Sequence, residues 1–92
     1  MIRVVVVDDE ALVRSGFGLI LGAADDIEVV AAVDGMEAVE AIERTAPDVV
    51  LLDIRMPGRN GLEILDEVRA MPDPPVVAIL TTFDSDAYIA RA

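Results

Sequence analysis

The sequence of 92 residues contains no cysteine, no histidine and no lysine. The lack of cysteine excludes disulfides and thiolate metal sites. The lack of histidine excludes imidazole acid/base chemistry and imidazole metal ligands. A metal bound by this chain would therefore be held by oxygen, which favours Mg²⁺, Mn²⁺ or Ca²⁺.

Positive charge is also scarce, because seven arginines stand against eighteen acidic residues and the net charge is −11. Such a charge opposes binding to phosphate backbones and to anionic membrane surfaces. We therefore expect no direct contact of this chain with nucleic acid or membrane. The apolar stretch at the N-terminus is too short for a signal peptide or a spanning helix, so a cytoplasmic protein is expected.

Aromatic residues make up only 3% of the chain, whereas 54% of it is hydrophobic. This composition indicates a core of valine, leucine, isoleucine and alanine, as in strands covered by helices. A chain of this length suits one small domain that buries about 60 to 65% of its unfolded surface.

Apolar runs and amphipathic stretches alternate along the chain. The runs predict strands at residues 1–7, 27–33, 48–52 and 76–80. The spacing of apolar residues predicts helices at 11–23, 36–45 and 62–71, and a last helix that begins at Asp84 or Ser85. Arg14 is expected on or near the outer side of the first helix. The apolar residues that mark the inner sides are Val13, Phe17, Ile20 and Ala24 in the first helix, Val39, Ile42 and Ala46 in the second, and Leu62, Leu65, Val68 and Met71 in the third. The order βαβαβαβα is typical of a parallel sheet with helices on both faces.

The stretch of residues 49–61, VVLLDIRMPGRNG, places one carboxylate, Asp53, between a buried strand and a Pro/Gly loop. Parallel sheets place their ligand sites at the carboxyl ends of the strands. Asp8 and Asp9 follow the first strand in the same way. Since the first and third strands are the expected neighbours, these three acids should lie close together, where a divalent cation would relieve their repulsion.

A simpler interpretation is that Asp8 and Asp9 cap the first helix while Asp53 begins a turn. Both interpretations can hold together, since a helix N-terminus tolerates acids. Thr81, at the end of the fourth strand, is placed to lend a hydroxyl to an oxyanion on Asp53, although threonine at a strand end is also explained by β propensity.

Three segments in this order resemble the receiver domain of two-component response regulators, over the whole chain. They are VVVVDDE, LLDIRMPGRNGLE and AILTTFD. The resemblance implies an α/β, flavodoxin-like fold: a doubly wound parallel sheet of strand order 2-1-3-4. The phrases RMPGRNGLE and LTTFD are most similar to receivers that precede a LuxR-type helix-turn-helix domain.

The resemblance also implies residue roles. Asp53 would accept a phosphoryl group from the phosphohistidine of a sensor histidine kinase. Asp8, Asp9, Asp53 and the backbone carbonyl of Arg55 would hold Mg²⁺, or Mn²⁺, and Thr81 would bind the phosphoryl group as the switch hydroxyl.

Further roles concern the rim of the pocket. Met56 and Pro57 would shape the loop after the acceptor, and Gly61 would give that loop freedom in φ. Thr82, together with Arg55, would flank the pocket and tune removal of the phosphoryl group by water.

The chain departs from the family pattern in one respect: family members carry a lysine on a fifth strand, and this sequence has no lysine and stops before such a strand. We therefore expect residues 1–92 to be a C-terminally incomplete receiver that lacks the fifth strand and fifth helix. It would be a phosphoacceptor and not an enzyme, with impaired self-catalysed phosphotransfer and dephosphorylation. DNA binding would come only from a missing C-terminal domain.

Three alternatives differ in class. The first is a signalling-incompetent fragment that self-associates, as a dimer or larger species, through its exposed edge or face. The second is a haloacid-dehalogenase-type phosphatase, which needs an acid two residues after the nucleophile, where Arg55 stands. The third is a dinucleotide-binding fold, which is excluded because acids replace the glycine-rich turn after the first strand.

Overall fold

A computed structural model describes residues 1–54 and 60–80 of the chain. It contains four strands and three helices in alternation: β1 (Ile2–Val7), α1 (Ala11–Gly22), β2 (Ile27–Val33), α2 (Ala38–Thr45), β3 (Val49–Asp53), α3 (Gly61–Arg69) and β4 (Val76–Leu80). The expected last helix lies outside the described residues.

The four strands form one parallel sheet of order β2-β1-β3-β4. This confirms the α/β class and the strand order expected from the sequence. The central strands β1 and β3 carry uninterrupted apolar stretches at residues 4–7 and 49–52, as strands covered on both faces require.

The main core lies between one face of the sheet and helices α2 and α3. Alternation along β1 directs Val5 and Val7 into this core, and α3 contributes Ile64 and Val68. Val4 and Val6 are also buried, on the opposite face. Helix α1 packs against β1 and β2, and the right-handed crossover from β1 to β2 places it on that opposite face.

Helix α1 is more exposed than its apolar spacing suggests. None of its residues is fully buried, and three large apolar side chains are mostly exposed: Leu12, Leu19 and Ile20. The apolar spacing predicts that Ile20 lies on the inner side of the helix. This prediction is wrong, since the residue is 70% exposed.

Helix α2 begins two residues later than the spacing suggests, at Ala38. It ends because Ala46 adopts a left-handed conformation with φ of 48°, which alanine tolerates poorly, and because Pro47 cannot continue the helix. Ala46 is therefore an exposed cap and does not face inward as the spacing suggests.

Helix α3 has a side-chain cap at its first turn. The Asn60 side chain accepts a hydrogen bond from the backbone N–H of Leu62 at 2.8 Å, which satisfies one of the free donors of the first turn. The cap fixes where α3 begins.

No helix among the described residues is long and apolar enough to cross a bilayer. The longest, α1, has 12 residues, whereas a membrane-spanning helix needs about 20.

Candidate functional site

Two of the candidate acids lie side by side at the carboxyl edge of the sheet. Strands β1 and β3 are parallel neighbours, and the last registered pair between them is Val7 with Leu52. The next residue on each strand is an acid, Asp8 on one side and Asp53 on the other. The structure thus confirms the strand neighbourhood on which the predicted site depends.

Asp8 is a buried charged residue, with only 5% of its surface exposed. Its backbone N–H donates to the carbonyl of Val33 on β2 at 3.0 Å. Its Oδ1 accepts from the backbone N–H of Glu10 at 2.9 Å. Glu10 is the residue before the first turn of α1 and makes no side-chain cap, so Asp8 braces the loop that leads to the helix.

Asp9 joins this edge to the loop between β2 and α2. Its Oδ1 accepts a hydrogen bond from the backbone N–H of Gly35 at 3.1 Å. A shift in register between Val4 and Val5 inserts one extra residue into β2. The shift pairs Val7 with Val33 and so brings Gly35 within reach of Asp9.

Arg14 also belongs to this edge, although the sequence pattern places it on or near the outer side of α1. Its Nη1 donates to the backbone carbonyl of Asp8 at 2.6 Å. The only sequence signal for this contact is a basic residue one helical turn after the acid-rich loop, and such a residue more often faces solvent.

Gly61 holds the start of α3 against the end of β3. A Cβ at this position would lie 2.3 Å from Cα of Ile54 and 2.7 Å from the carbonyl oxygen of Asp53, and both atoms are backbone. Its N–H donates to the carbonyl of Ile54 at 3.3 Å. The sequence suggests that Gly61 supplies freedom in φ, but its φ is not in the left-handed region, and the structure requires glycine for lack of space.

Asp53 itself is half-buried as the last residue of β3. The remaining candidate residues lie outside the described residues: Arg55, Met56, Pro57, Thr81 and Thr82. Their expected roles therefore stay predictions.

Within residues 1–54 and 60–80, no three acidic side chains are gathered closely enough to enclose a metal ion. The acids nevertheless suit a hard cation. Asp8 and Asp9 each use Oδ1 for a backbone N–H, and an ionised carboxylate has further acceptor sites on both oxygens. Mg²⁺ binds through one or two carboxylates and keeps several waters, so it does not need a closed protein cage.

A groove of about 510 Å³ lies at the other edge of the sheet. It is lined by residues before β3 and before β4, among them Pro47, Asp48 and Pro75. These are the amino ends of the strands, so this groove is remote from the acids at the carboxyl edge.

Comparison with known sequences identifies one family. Residues 4–92 match the model of the response regulator receiver domain. The chain is 42% identical over 90 residues to the oxygen regulatory protein NreC of Staphylococcus epidermidis. It is 41% identical over 90 residues to the protein of the same name from Staphylococcus carnosus. Both matches cover 95% of this chain and 41% of the relative, so the chain spans less than half the length of these relatives.

Solved structures show the same fold. The receiver domain of the putative response regulator NarL from Mycobacterium tuberculosis superposes with a TM-score of 0.88 at 37% identity, covering 98% of this chain and 73% of that one. A LuxR-family DNA-binding response regulator from Staphylococcus aureus also has a TM-score of 0.88, at 33% identity, covering 100% of this chain and 78% of that one.

Proposed function

This chain belongs to the response regulator receiver family, and from that premise we propose that it accepts a phosphoryl group on Asp53, with Mg²⁺ bound beside it. The observation that carries the proposal is the register of β1 and β3, which sets Asp53 next to Asp8 at the carboxyl edge. Open α/β sheets bind their ligands at this edge.

In the proposed reaction, a carboxylate oxygen of Asp53 attacks the phosphorus of a phosphohistidine on a sensor histidine kinase. A P–O bond forms while the P–N bond breaks, and the histidine leaves with that electron pair and takes up a proton. The product is an acyl phosphate on Asp53. The chain acts as phosphoacceptor, so it is a signalling module rather than an enzyme.

The proposed metal ligands are Asp8, Asp9, Asp53 and the backbone carbonyl of Arg55. Their oxygens match the preference of Mg²⁺, and Mn²⁺ is the expected substitute. When bound, the metal neutralises charge on the phosphoryl oxygens during transfer. The task of the chain is to hold the acids in place, and for Asp8 this is done by the contacts of its backbone with Val33 and Arg14.

Three further roles complete the proposed pocket. The Thr81 hydroxyl binds the phosphoryl group after transfer, Met56 and Pro57 shape the loop beside Asp53, and Thr82 flanks the entrance for water. These roles are supported by the positions of the residues in the family motif.

Incubation of the chain with Mg²⁺ and acetyl phosphate is expected to add one phosphoryl group, as measured by mass spectrometry of the intact protein. Asp53→Asn removes the nucleophile and keeps the size of the side chain, so this variant should stay unmodified. Glu63→Gln, which neutralises an exposed acid in α3, is the matched control and should react like the parent chain. An unmodified parent chain, or a modified Asp53→Asn variant, would contradict the proposal.

The proposed partners follow from the same assignment. Response regulators receive phosphoryl groups from sensor histidine kinases, and we propose such a kinase as the partner here. Relatives of similar sequence include a LuxR-family DNA-binding regulator, so the proposed wider role is transcriptional regulation. The net charge of −11 supports a receiver that does not itself contact DNA.

Self-association is a second expected property. Leu12, Leu19 and Ile20 expose apolar surface on α1, and Val76 exposes it at the start of β4; such surface favours contact with another copy. Light scattering at high protein concentration should therefore report a dimer or larger species, measured with and without the phosphodonor. A monomer under both conditions would rule this property out. The alternative that the chain is only a signalling-incompetent fragment is not favoured by the family match.

A further inference from the structure

The contact between Arg14 and Asp8 has an unusual form. The guanidinium Nη1 donates to the backbone carbonyl of Asp8 at 2.6 Å, while the Asp8 carboxylate is engaged by Glu10 N–H. A hydrogen bond from an ionised donor is shorter and stronger than one between neutral groups. Arg14 thus places a positive charge at the acid-rich loop without occupying the carboxylate oxygens.

The loop from β1 to α1 needs such a contact. It consists of Asp8, Asp9 and Glu10, and three adjacent acids repel one another. Helix α1 offers no side-chain cap at Glu10. On the side of β2, two hydrogen bonds hold the loop. The backbone N–H of Asp8 donates to the carbonyl of Val33, and the Asp9 carboxylate accepts from the backbone N–H of Gly35. On the helix side, Arg14 is the side chain that reaches back to it.

We propose that Arg14 is a positioning residue for the metal site. It clamps the peptide that joins Asp8 to Asp9, so that both carboxylates are in place before a divalent cation arrives. The inference rests on the proposed function, since it assumes that these acids bind Mg²⁺, and it adds a residue that the motif of acids does not include.

Two possible effects of Arg14 on metal binding have opposite signs. If its charge alone mattered, removal would tighten Mg²⁺ binding, because one repelling cation would be gone; a screened surface charge changes such an equilibrium by about two- to fivefold at most. If Arg14 positions the acids, removal weakens binding, because the loop must be ordered at the moment the cation binds. The direction of the change distinguishes the two.

The test is a Mg²⁺ titration of the chain without phosphodonor, followed by the backbone amide NMR signals of Asp8, Asp9 and Gly35. Arg14→Met is expected to raise the Kd for Mg²⁺ about tenfold, the loss that one charge-assisted hydrogen bond can cause. Arg14→Lys keeps the positive charge and can donate a hydrogen bond, but it lacks the planar guanidinium. This variant should recover part of the lost Mg²⁺ affinity. Circular dichroism without Mg²⁺ establishes that each variant is folded.

Arg44→Met is the matched control. Arg44 lies on α2, has a side chain that is 64% exposed and pairs with Glu40 at 3.8 Å, so its removal changes the net charge equally without touching the loop. It should leave the Kd unchanged or slightly lower. If Arg14→Met does not fold, Arg14→Lys is compared with Arg44→Lys, and the Arg14 variant should bind Mg²⁺ more weakly.

The outcomes separate the two proposals. A parent chain that binds no Mg²⁺ overturns the proposed function and this inference together. A parent chain that binds Mg²⁺ while Arg14→Met binds as well or better overturns the inference alone. An equal change in Kd for Arg14→Met and Arg44→Met also overturns it, since the contact of Arg14 with the loop would then make no difference to Mg²⁺ binding.

Discussion

Gly61→Ala is expected to lower the free energy of unfolding by about 3 kcal/mol, the upper end of what overpacking usually costs. The added Cβ would lie 2.3 Å from Cα of Ile54 and 2.7 Å from the carbonyl oxygen of Asp53. Both obstacles are backbone atoms, so no side chain can rotate away to make room. Either α3 moves away from β3 or the end of β3 is displaced.

The displaced segment carries Asp53, so the same variant should also accept a phosphoryl group from acetyl phosphate more slowly.

Gly18→Ala is the matched control. A Cβ at Gly18 meets no atom within 4 Å, and alanine favours helix by up to about 1 kcal/mol over glycine, so this variant should be more stable than the parent chain. Urea unfolding measures the stability of both variants. If the two variants shift stability in the same direction, the close approach at Gly61 is not the cause.

Leu52→Ala is expected to cost about 2 to 5 kcal/mol. Leu52 lies on β3 and is fully buried in the core that β1, α2 and α3 share. Removing its side chain loses the transfer free energy of the buried atoms and leaves a cavity that neighbouring strands cannot close. Small domains have only about 5 to 15 kcal/mol of stability in total, so a large share of it should be lost.

Leu12→Ala removes the same atoms from a residue that is 84% exposed, and it should change stability by less than about 0.5 kcal/mol. The midpoint of thermal unfolding compares the two variants. Similar shifts for both would mean that Leu12 is covered in solution, for instance by a second copy of the chain.

The position of the acids at the sheet edge was predictable because it follows from local pattern. The predicted strands at 1–7 and 48–52 are too short for buried helices, and an acid follows each of them directly. The alternation with amphipathic stretches then leaves few parallel topologies. The parallel class of the sheet and the neighbourhood of Asp8 and Asp53 therefore follow from local pattern, whereas the full strand order was implied by the resemblance to receiver domains.

Which side of a helix is covered was less predictable. The spacing places Ile20 inside, but it is 70% exposed, whereas Ile64, which the spacing of α3 passes over, is fully buried. Periodicity gives the apolar stripe of a helix, but the width that is buried depends on how many elements pack against it. Helix α1 packs on β1 and β2, while α3 packs on both the sheet and α2.

The sequence by itself determined the class of the sheet, the order of its elements and the identity of the acids at its carboxyl edge, because each depends on residues close together in the chain. Only the tertiary structure decided how those acids are held. The extra residue in β2 that brings Gly35 to Asp9, the reach of Arg14 to the Asp8 carbonyl and the contact of Gly61 with Ile54 depend on register and on the distance between packed elements. No local pattern encodes these distances, since they arise only when the helices and strands pack together.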